Sequence, residues 1–257
     1  MTNPLPDQPA RFPVLDVGVS AISLPRALAM IDGWIARGER RSMHLCTTHT
    51  VLECHRAPEL AAIMNAAGIA APDGMPLVWL GRMRGHSVDR VYGPDVMLAT
   101  CDRGQASGQR HYFYGGAPGV AERLAERMRS RFPQLQVAGT YTPPFRPLTA
   151  AEEQAVAAQI NASGPDIVWV GLGTPKQDYW VARFRPLLNA PVLIAVGAAF
   201  DFHTGRVRQA PRWMQRSGLE WLFRLSQDPR RLWRRYLLGN PTFLVLIARQ
   251  WLAERRR

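Results

Sequence analysis

The sequence predicts an α/β fold: a Rossmann-like, doubly wound, mostly parallel sheet with a small, helical, basic appendage at its C-terminal end. Three observations carry this expectation. Strand-like apolar runs alternate with helical stretches along most of the chain, and several of these runs are apolar throughout, as strands covered on both faces are. Beyond residue 210 the alternation gives way to tryptophans interleaved with arginines. The 257 residues, 47% of them hydrophobic, suffice for one sizeable core, so residues 1–210 are read as the core domain and 211–257 as the appendage.

Taken in order, residues 14–19 (VLDVGV) form the first strand-like run and 24–36 the first helical pattern. A second strand at 43–47 (MHLCT) precedes a long helical pattern at 50–67. The stretch AAPDGMPLVW then sets Asp73 at the mouth of a helix that runs apolar through Leu77, Val78 and Trp79, and a further helix covers 93–101. Strands at 111–114 (HYFY), 135–138 (LQVA), 166–170 (DIVWV) and 191–196 (PVLIAV) alternate with helices at 119–131, 149–162 and 177–188. In the tail, Pro229 and Pro241 divide the helical pattern into short pieces.

Composition narrows the functional classes. The first thirteen residues lack a basic-then-apolar signal pattern, and no window reaches the roughly 18 uninterrupted apolar residues that span a bilayer, so a soluble, cytoplasmic protein is expected. Cys46, Cys54 and Cys101 form no CxxC pair and no cluster with metal-ligand spacing, which favours buried, reduced thiols. The formal charge of +12 is uneven: residues 206–257 hold thirteen arginines against Glu220, Asp228 and Glu254. Such a segment calls for an anionic partner: phosphate groups, nucleic acid or an acidic lipid surface.

Two glycine-rich turns follow strands. In HYFYGGAPGVAERL, Gly115, Gly116 and Gly119 lead into an amphipathic helix, a geometry that serves equally as an ordinary tight turn or as a contact for phosphate or ribose. A dinucleotide site would also want an acidic residue near the end of the next strand, and LQVAGTYTPP supplies none, which disfavours an NAD(P)-dependent enzyme. In DIVWVGLGTPKQDYW, Gly171 and Gly173 allow close approach of a ligand, and Pro175 suits a first helical turn. Lys176, the sole lysine of the chain, and Gln177 stand where free N–H groups point; Lys176 is either a contact for a diphosphate or a solvated surface cation.

Two carboxylates stand out. Asp73 is either a helix N-cap or a functional group. Asp201, flanked by Phe200 and Phe202, is either functional or paired with a neighbour such as Arg206 or Arg208. No Asp-x-Asp occurs, so the usual carboxylate pair for a divalent ion bridging a diphosphate is missing, and a departing diphosphate would have to be neutralised by arginine and lysine.

The ordered motifs PDGMPLVW, RVYGPD, GLGTPKQ, VGAAFDFHTG and APRWMQRSGLEWLFRLSQDPRRLWRRY, spread over about residues 14–246, resemble the WecG/TagA/CpsF family of bacterial glycosyltransferases. The resemblance implies inverting, metal-independent transfer of a sugar from a nucleotide donor, usually UDP-linked, to a saccharide on a polyprenyl diphosphate at the inner membrane face. Family members build wall teichoic acid linkage units, enterobacterial common antigen and exopolysaccharides. Carried over by position, Asp73 becomes the general base, Arg90 a stabiliser of the leaving diphosphate and Gln177 an active-site glutamine. Arg224, Arg231 and Arg234 become appendage arginines that close over a diphosphate. The chain departs from the family pattern at the motif TPN, which falls without gaps on Leu45, Cys46 and Thr47, so that either Thr47 or Thr48 takes over from Leu45 or the acceptor is held differently. His49 is read as either a ligand contact or a helix-start residue.

A lipid-linked acceptor must be met at the bilayer, and interleaved tryptophans and arginines can hold an anionic headgroup layer. The run PTFLVLIARQWL is too short to cross but long enough to dip in; the alternative is a helix packed on the core with a solvated basic face. Expected partners are therefore a UDP-sugar, a polyprenyl-diphosphate-linked acceptor and an anionic membrane surface; a homo-oligomer is compatible with the sequence. Nucleic acid is the competing partner of the basic tail, disfavoured because its aromatics are set among aliphatic runs rather than on a polar surface.

Overall fold

The computed structural model describes residues 8–256; residues 1–7, read above as lacking a signal pattern, and Arg257 lie outside them. The first strand-like run becomes a two-stranded antiparallel hairpin, β1 (Arg11–Val14) and β2 (Val17–Ser20), standing apart from the main sheet. The break follows from Leu15, which takes a left-handed φ of 52° and lets Asp16 complete a two-residue turn. Helix α1 (Leu24–Ala36) follows as expected.

Strand β3 (Arg41–Cys46) leads not into one long helix but into two, α2 (Thr48–Arg56) and α3 (Pro58–Ala66). Pro58 causes the split: its ring disfavours the helical region for the preceding residue, and Ala57 is accordingly extended, with φ −133° and ψ 93°. Next comes a strand the sequence reading did not contain, β4 (Ile69–Pro72), then α4 (Met75–Met83) and α5 (Gly93–Ser107), which ends where Gly108 turns left-handed. Strand β5 (Arg110–Gly115), α6 (Val120–Arg131), β6 (Gln136–Tyr141), α7 (Ala150–Ser163), β7 (Ile167–Gly171), α8 (Lys176–Phe184) and β8 (Val192–Ala195) complete the core alternation.

The six strands β3 to β8 form one parallel sheet in the order β4-β3-β8-β7-β5-β6. The chain winds outward to β4 on one side, crosses to β5 and β6 on the other, and returns to fill the centre with β7 and β8. All six carboxyl ends therefore open on one edge, where doubly wound sheets bind their ligands. Both faces are covered, which explains the unbroken apolar runs: Ile167 and Trp169 point into one layer with Phe113 and Ile194, while Val168 and Val170 point into the other with Tyr112, Tyr114 and Leu193.

After α9 (Ala199–His203) the chain continues as α10 (Arg212–Arg216), α11 (Glu220–Gln227), α12 (Pro229–Trp233), a π-helical turn Arg234–Leu238 and α13 (Gly239–Glu254). Pro229 starts a helix, as the sequence indicated, with Asp228 capping it by accepting the Arg231 N–H at 3.3 Å. Pro241 does not break the chain, because it sits in the first turn of α13, where its missing N–H has least to bond. The run at 241–252 packs on the core by one face: Phe243 and Ile247 join the cluster of the hairpin and α2, while Leu244, Val245 and Leu252 stay exposed.

Gly115 and Gly171 stand opposite each other in the β5/β7 register, and Gly115 has a φ of 120°. A Cβ at Gly115 would lie 2.7 Å from the Gly171 carbonyl oxygen. Gly115→Ala should therefore lower the unfolding free energy by about 2–4 kcal/mol, combining strained backbone with overpacking, as read from urea denaturation.

Candidate active site

The residues singled out in the sequence gather mainly along the carboxyl edge of the sheet. Asp73 continues the β3/β4 pairing by one residue, its N–H donating to the Cys46 carbonyl at 2.8 Å. It is not a helix cap: Gly74 occupies that position, and no side chain caps α4. Thr47, at the end of β3, does cap α2 in a reciprocal pair with Thr50: the Thr50 N–H donates to Thr47 Oγ1 at 3.3 Å, and the Thr47 N–H to Thr50 Oγ1 at 3.1 Å. His49 follows in the first turn of α2.

Asp73 is engaged by Arg90, from the loop before α5. Arg90 Nη2 donates to Asp73 Oδ1 at 3.3 Å and its Nε to the Asp73 main-chain carbonyl. The same Nη2 donates to Glu220 Oε2 at 2.6 Å, and Nη1 to the Gln215 carbonyl at 3.3 Å. The Tyr92 ring lies 4.2 Å beneath the guanidinium, and its hydroxyl donates to Glu220 Oε1 at 3.3 Å. The side chains of Asp73, Arg90 and Glu220 are only 16%, 17% and 14% exposed. Sequence reasoning missed Glu220, Gln215 and Tyr92; the signal available for Glu220 was its being one of three acidic residues among the thirteen arginines of residues 206–257.

Burial pushes the Asp73 carboxyl up to about 6; Arg90 opposes the shift by charge and hydrogen bond, Glu220 adds to it, and Arg224 opposes it from further off. Burial, with Glu220 and Asp73, raises the Tyr92 phenol, so its hydroxyl remains a donor. Burial, then the charges of Arg235 and Arg56, lowers His49 to about 3, so its imidazole is neutral at physiological pH.

The two glycine-rich turns form one floor. The Gly116 N–H donates to the Gly171 carbonyl at 2.9 Å, and Phe200 packs beneath, 2.7 Å from where a Gly171 Cβ would be. Gln177 is 2% exposed and ties this floor to β8: its Oε1 accepts the Gly197 N–H at 2.8 Å, and its Nε2 donates to Thr174 Oγ1 at 3.5 Å. Gly173 turns with a φ of 76° ahead of the cis Thr174–Pro175 bond. Lys176 is exposed at the first residue of α8.

Asp201 is paired with Arg206 at 3.3 Å and its side chain is 38% exposed, so its apolar neighbours in sequence do not enclose it. Of the appendage arginines, Arg224 lies 5.5 Å over the Phe202 ring, Arg231 pairs with Asp228 at 2.7 Å, and Arg234 lies 5.2 Å over the Trp233 ring. Cys46, Cys54 and Cys101 are free and buried, and burial raises all three thiols. Among the described residues no group of three or more His, Cys, Asp or Glu could hold a metal ion, and no helix is long and apolar enough to cross a membrane.

The chain's residues 12–257 match the model of the "Glycosyl transferase WecG/TagA/CpsF family". It is 32% identical over 196 residues to an N-acetylglucosaminyldiphosphoundecaprenol N-acetyl-beta-D-mannosaminyltransferase of Bacillus spizizenii, covering 76% of this chain and 74% of that one. A Bacillus subtilis protein of the same name is 29% identical over 189 residues, covering 73% and 71%. With a parallel doubly wound sheet and a buried, arginine-bound carboxylate at its carboxyl edge, this chain belongs to the WecG/TagA/CpsF family and is a glycosyltransferase.

Proposed function

We propose that the protein moves a sugar of N-acetylhexosamine, hexose or hexuronic type from a UDP-sugar to a saccharide carried on a polyprenyl diphosphate, with inversion and without a metal ion, in the biosynthesis of a cell-surface polysaccharide. The names of the two Bacillus relatives support the lipid-linked acceptor. The observation that carries the mechanism is the Asp73 carboxyl, buried beside Arg90 and raised to about 6, which leaves it ionised at neutral pH yet far more basic than an ordinary carboxylate.

In this reading Asp73 takes the proton from the acceptor hydroxyl as its oxygen attacks the anomeric carbon. The bond from that carbon to the donor diphosphate breaks, and the electron pair leaves with the diphosphate. Arg90 meets the developing charge, the approaching phosphate competing with Glu220 for its guanidinium, and Arg224, Arg231 and Arg234 add positive potential from the appendage. Gln177 holds the β7 and β8 turns in register beneath the donor.

The enzyme works in the cytoplasm on the inner face of the cytoplasmic membrane. Exposed apolar side chains support this placement: Trp213 is 64% exposed, Leu238 57% and Leu244 66%, all in a segment rich in arginine. Sedimentation with anionic vesicles should be strong at low salt and weaken as salt screens the arginines, whereas tight DNA binding without vesicle binding would overturn the membrane assignment.

Asp73→Asn should lower kcat by about 10²–10⁴-fold while UDP affinity, read by calorimetry, stays near that of the wild type. Near-normal turnover would remove the base assignment. For the wild type, kcat/KM should fall as pH drops through about 6, because protonation removes the base. Glu220→Gln should move that acid limb to lower pH: the anion that disfavours Asp73 ionisation is gone, and Arg90 is left to Asp73 alone. Transfer should be unchanged by EDTA; loss of activity restored by Mg²⁺ or Mn²⁺ would refute metal independence.

A further inference from the structure

The sheet face that packs against α3 and α8 carries two apolar clusters that do not merge. Cys46 and Ala70 belong to one, with α2 and α3, whereas Leu193 and Ala195 belong to the other, with α8. Between them, in register with Ala70 on one side and Ala195 on the other, stands His44 of β3. Its side chain is 1% exposed, and its Nδ1–H donates to Oδ1 of Asp178, a fully buried residue of α8, at 2.7 Å. Two alanines as neighbours leave the space over His44 unfilled, and the seam opens there into a cavity of about 620 Å³ between α3 and α8. The cavity lies over the amino half of β3, at Arg40, Ser42 and His44, away from the carboxyl edge that holds Asp73 and Arg90.

Two polar residues that line this space hold unused groups: His44 Nε2 and Arg185 Nε are buried without a hydrogen-bond partner. Buried polar atoms are normally paired, so a floor of this kind is a place for a ligand to complete. Arg185 donates its remaining N–H groups to the carbonyls of Arg41, Leu188, Ala190 and Pro191. Arg40, exposed at the rim, donates to the Arg185 and Pro186 carbonyls at 2.5 and 3.1 Å. Every hydrogen bond of these two guanidiniums among the described residues thus goes to an uncharged carbonyl, and no acidic residue lines the cavity. Burial, then the charge of Arg40, lowers Arg185 to about 10, a sign that the two cations are held together without a counter-ion.

The chemistry of the lining selects the ligand. With Nδ1 committed to Asp178, His44 Nε2 offers a lone pair in the neutral ring and an N–H in the charged one, and a hydroxyl serves either because it both donates and accepts. The walls, Ala62, Ile63 and Ala66 on α3 with Val181 and Ala182 on α8, are small and apolar and suit a slim hydrocarbon body. The guanidiniums at the rim call for an anion. We propose that the seam between α3 and α8 binds a small hydroxy acid, with its hydroxyl on His44 Nε2, its apolar body between the two helices and its carboxylate at Arg40 and Arg185. The site is separate from the catalytic edge and stands independently of the transfer reading above.

The test is NMR titration of the intact, ¹⁵N-labelled protein with 4-hydroxyphenylacetate, reading the ring nitrogens of His44. The probe should bind with a Kd on the order of 1 mM and shift the Nε2 signal. Phenylacetate, which lacks the hydroxyl, and tyramine, which carries an amine in place of the carboxylate, should each bind roughly tenfold or more weakly. In His44→Asn the amide takes over the donation to Asp178 but nothing replaces Nε2, so the preference for 4-hydroxyphenylacetate over phenylacetate, read from backbone amides of α3 and α8, should vanish. Ala62→Trp, at an exposed position of α3, should fill the slot and abolish binding while the thermal midpoint stays near that of the wild type. Should His44→Asn fail to fold, Ala62→Trp and the three probes on the wild type carry the comparison. An Nε2 signal that the probe leaves in place, equal affinity for phenylacetate, or undiminished binding to Ala62→Trp would overturn the site. Saturating UDP should change the probe's affinity by less than about twofold; displacement by UDP would put the probe in the catalytic cleft and refute a separate site.

Discussion

One guanidinium shared between two carboxylates organises the site. Arg90 reaches the side chain and carbonyl of Asp73, the carboxylate of Glu220 and the carbonyl of Gln215, and it rests on the Tyr92 ring. It thereby joins the loop after β4, the loop before α5, α10 and α11 at a single point. Burial is the main cause of the raised Asp73 pKa; Arg90 opposes the rise, and the second carboxylate, Glu220, adds to it. The basicity of Asp73 thus depends partly on an acid contributed by the basic tail.

The rest of the edge serves this point by fixing backbone. The close approach of Gly115, Gly116 and Gly171 lets β5 and β7 end side by side without side chains between them, and Phe200 fills the space below. Gln177 spends its amide on Gly197 and Thr174. A buried amide satisfied by two turns is a brace, and it keeps the floor from shifting relative to β8.

Much of this was legible in the sequence: five of the six sheet strands could be read from it, several of them as nearly unbroken apolar runs such as β7 and β8, which are covered on both faces. The exception, β4, is four residues long, with two alanines and a closing proline, too short and too small to signal a strand. The 14–19 run misled because Asp16 and the left-handed Leu15 make a turn inside an apolar pattern, and the long second helix misled because Pro58 permits a new helix to start at once. Asp73 and Gln177 drew notice through local motifs that follow strands, and Arg90 through the motif RVYGPD in the loop before α5, on the family resemblance. Glu220 was not legible, since its partner Arg90 is 130 residues away and pairings at that distance leave no local pattern.

The hairpin at the start of the chain and its last long helix are also joined: the Leu15 N–H donates to Gln250 Oε1 at 3.0 Å, across 235 residues. During synthesis the sheet edge with Asp73 and Arg90 leaves the ribosome well before α11 and α13 do, and domains form as their residues emerge. A nascent chain would hold an Arg90 without Glu220 until α11 emerges and a hairpin without its Gln250 contact until α13 does. The cluster around Arg90 is therefore completed only after α11 has emerged, together with the arginine-rich segment.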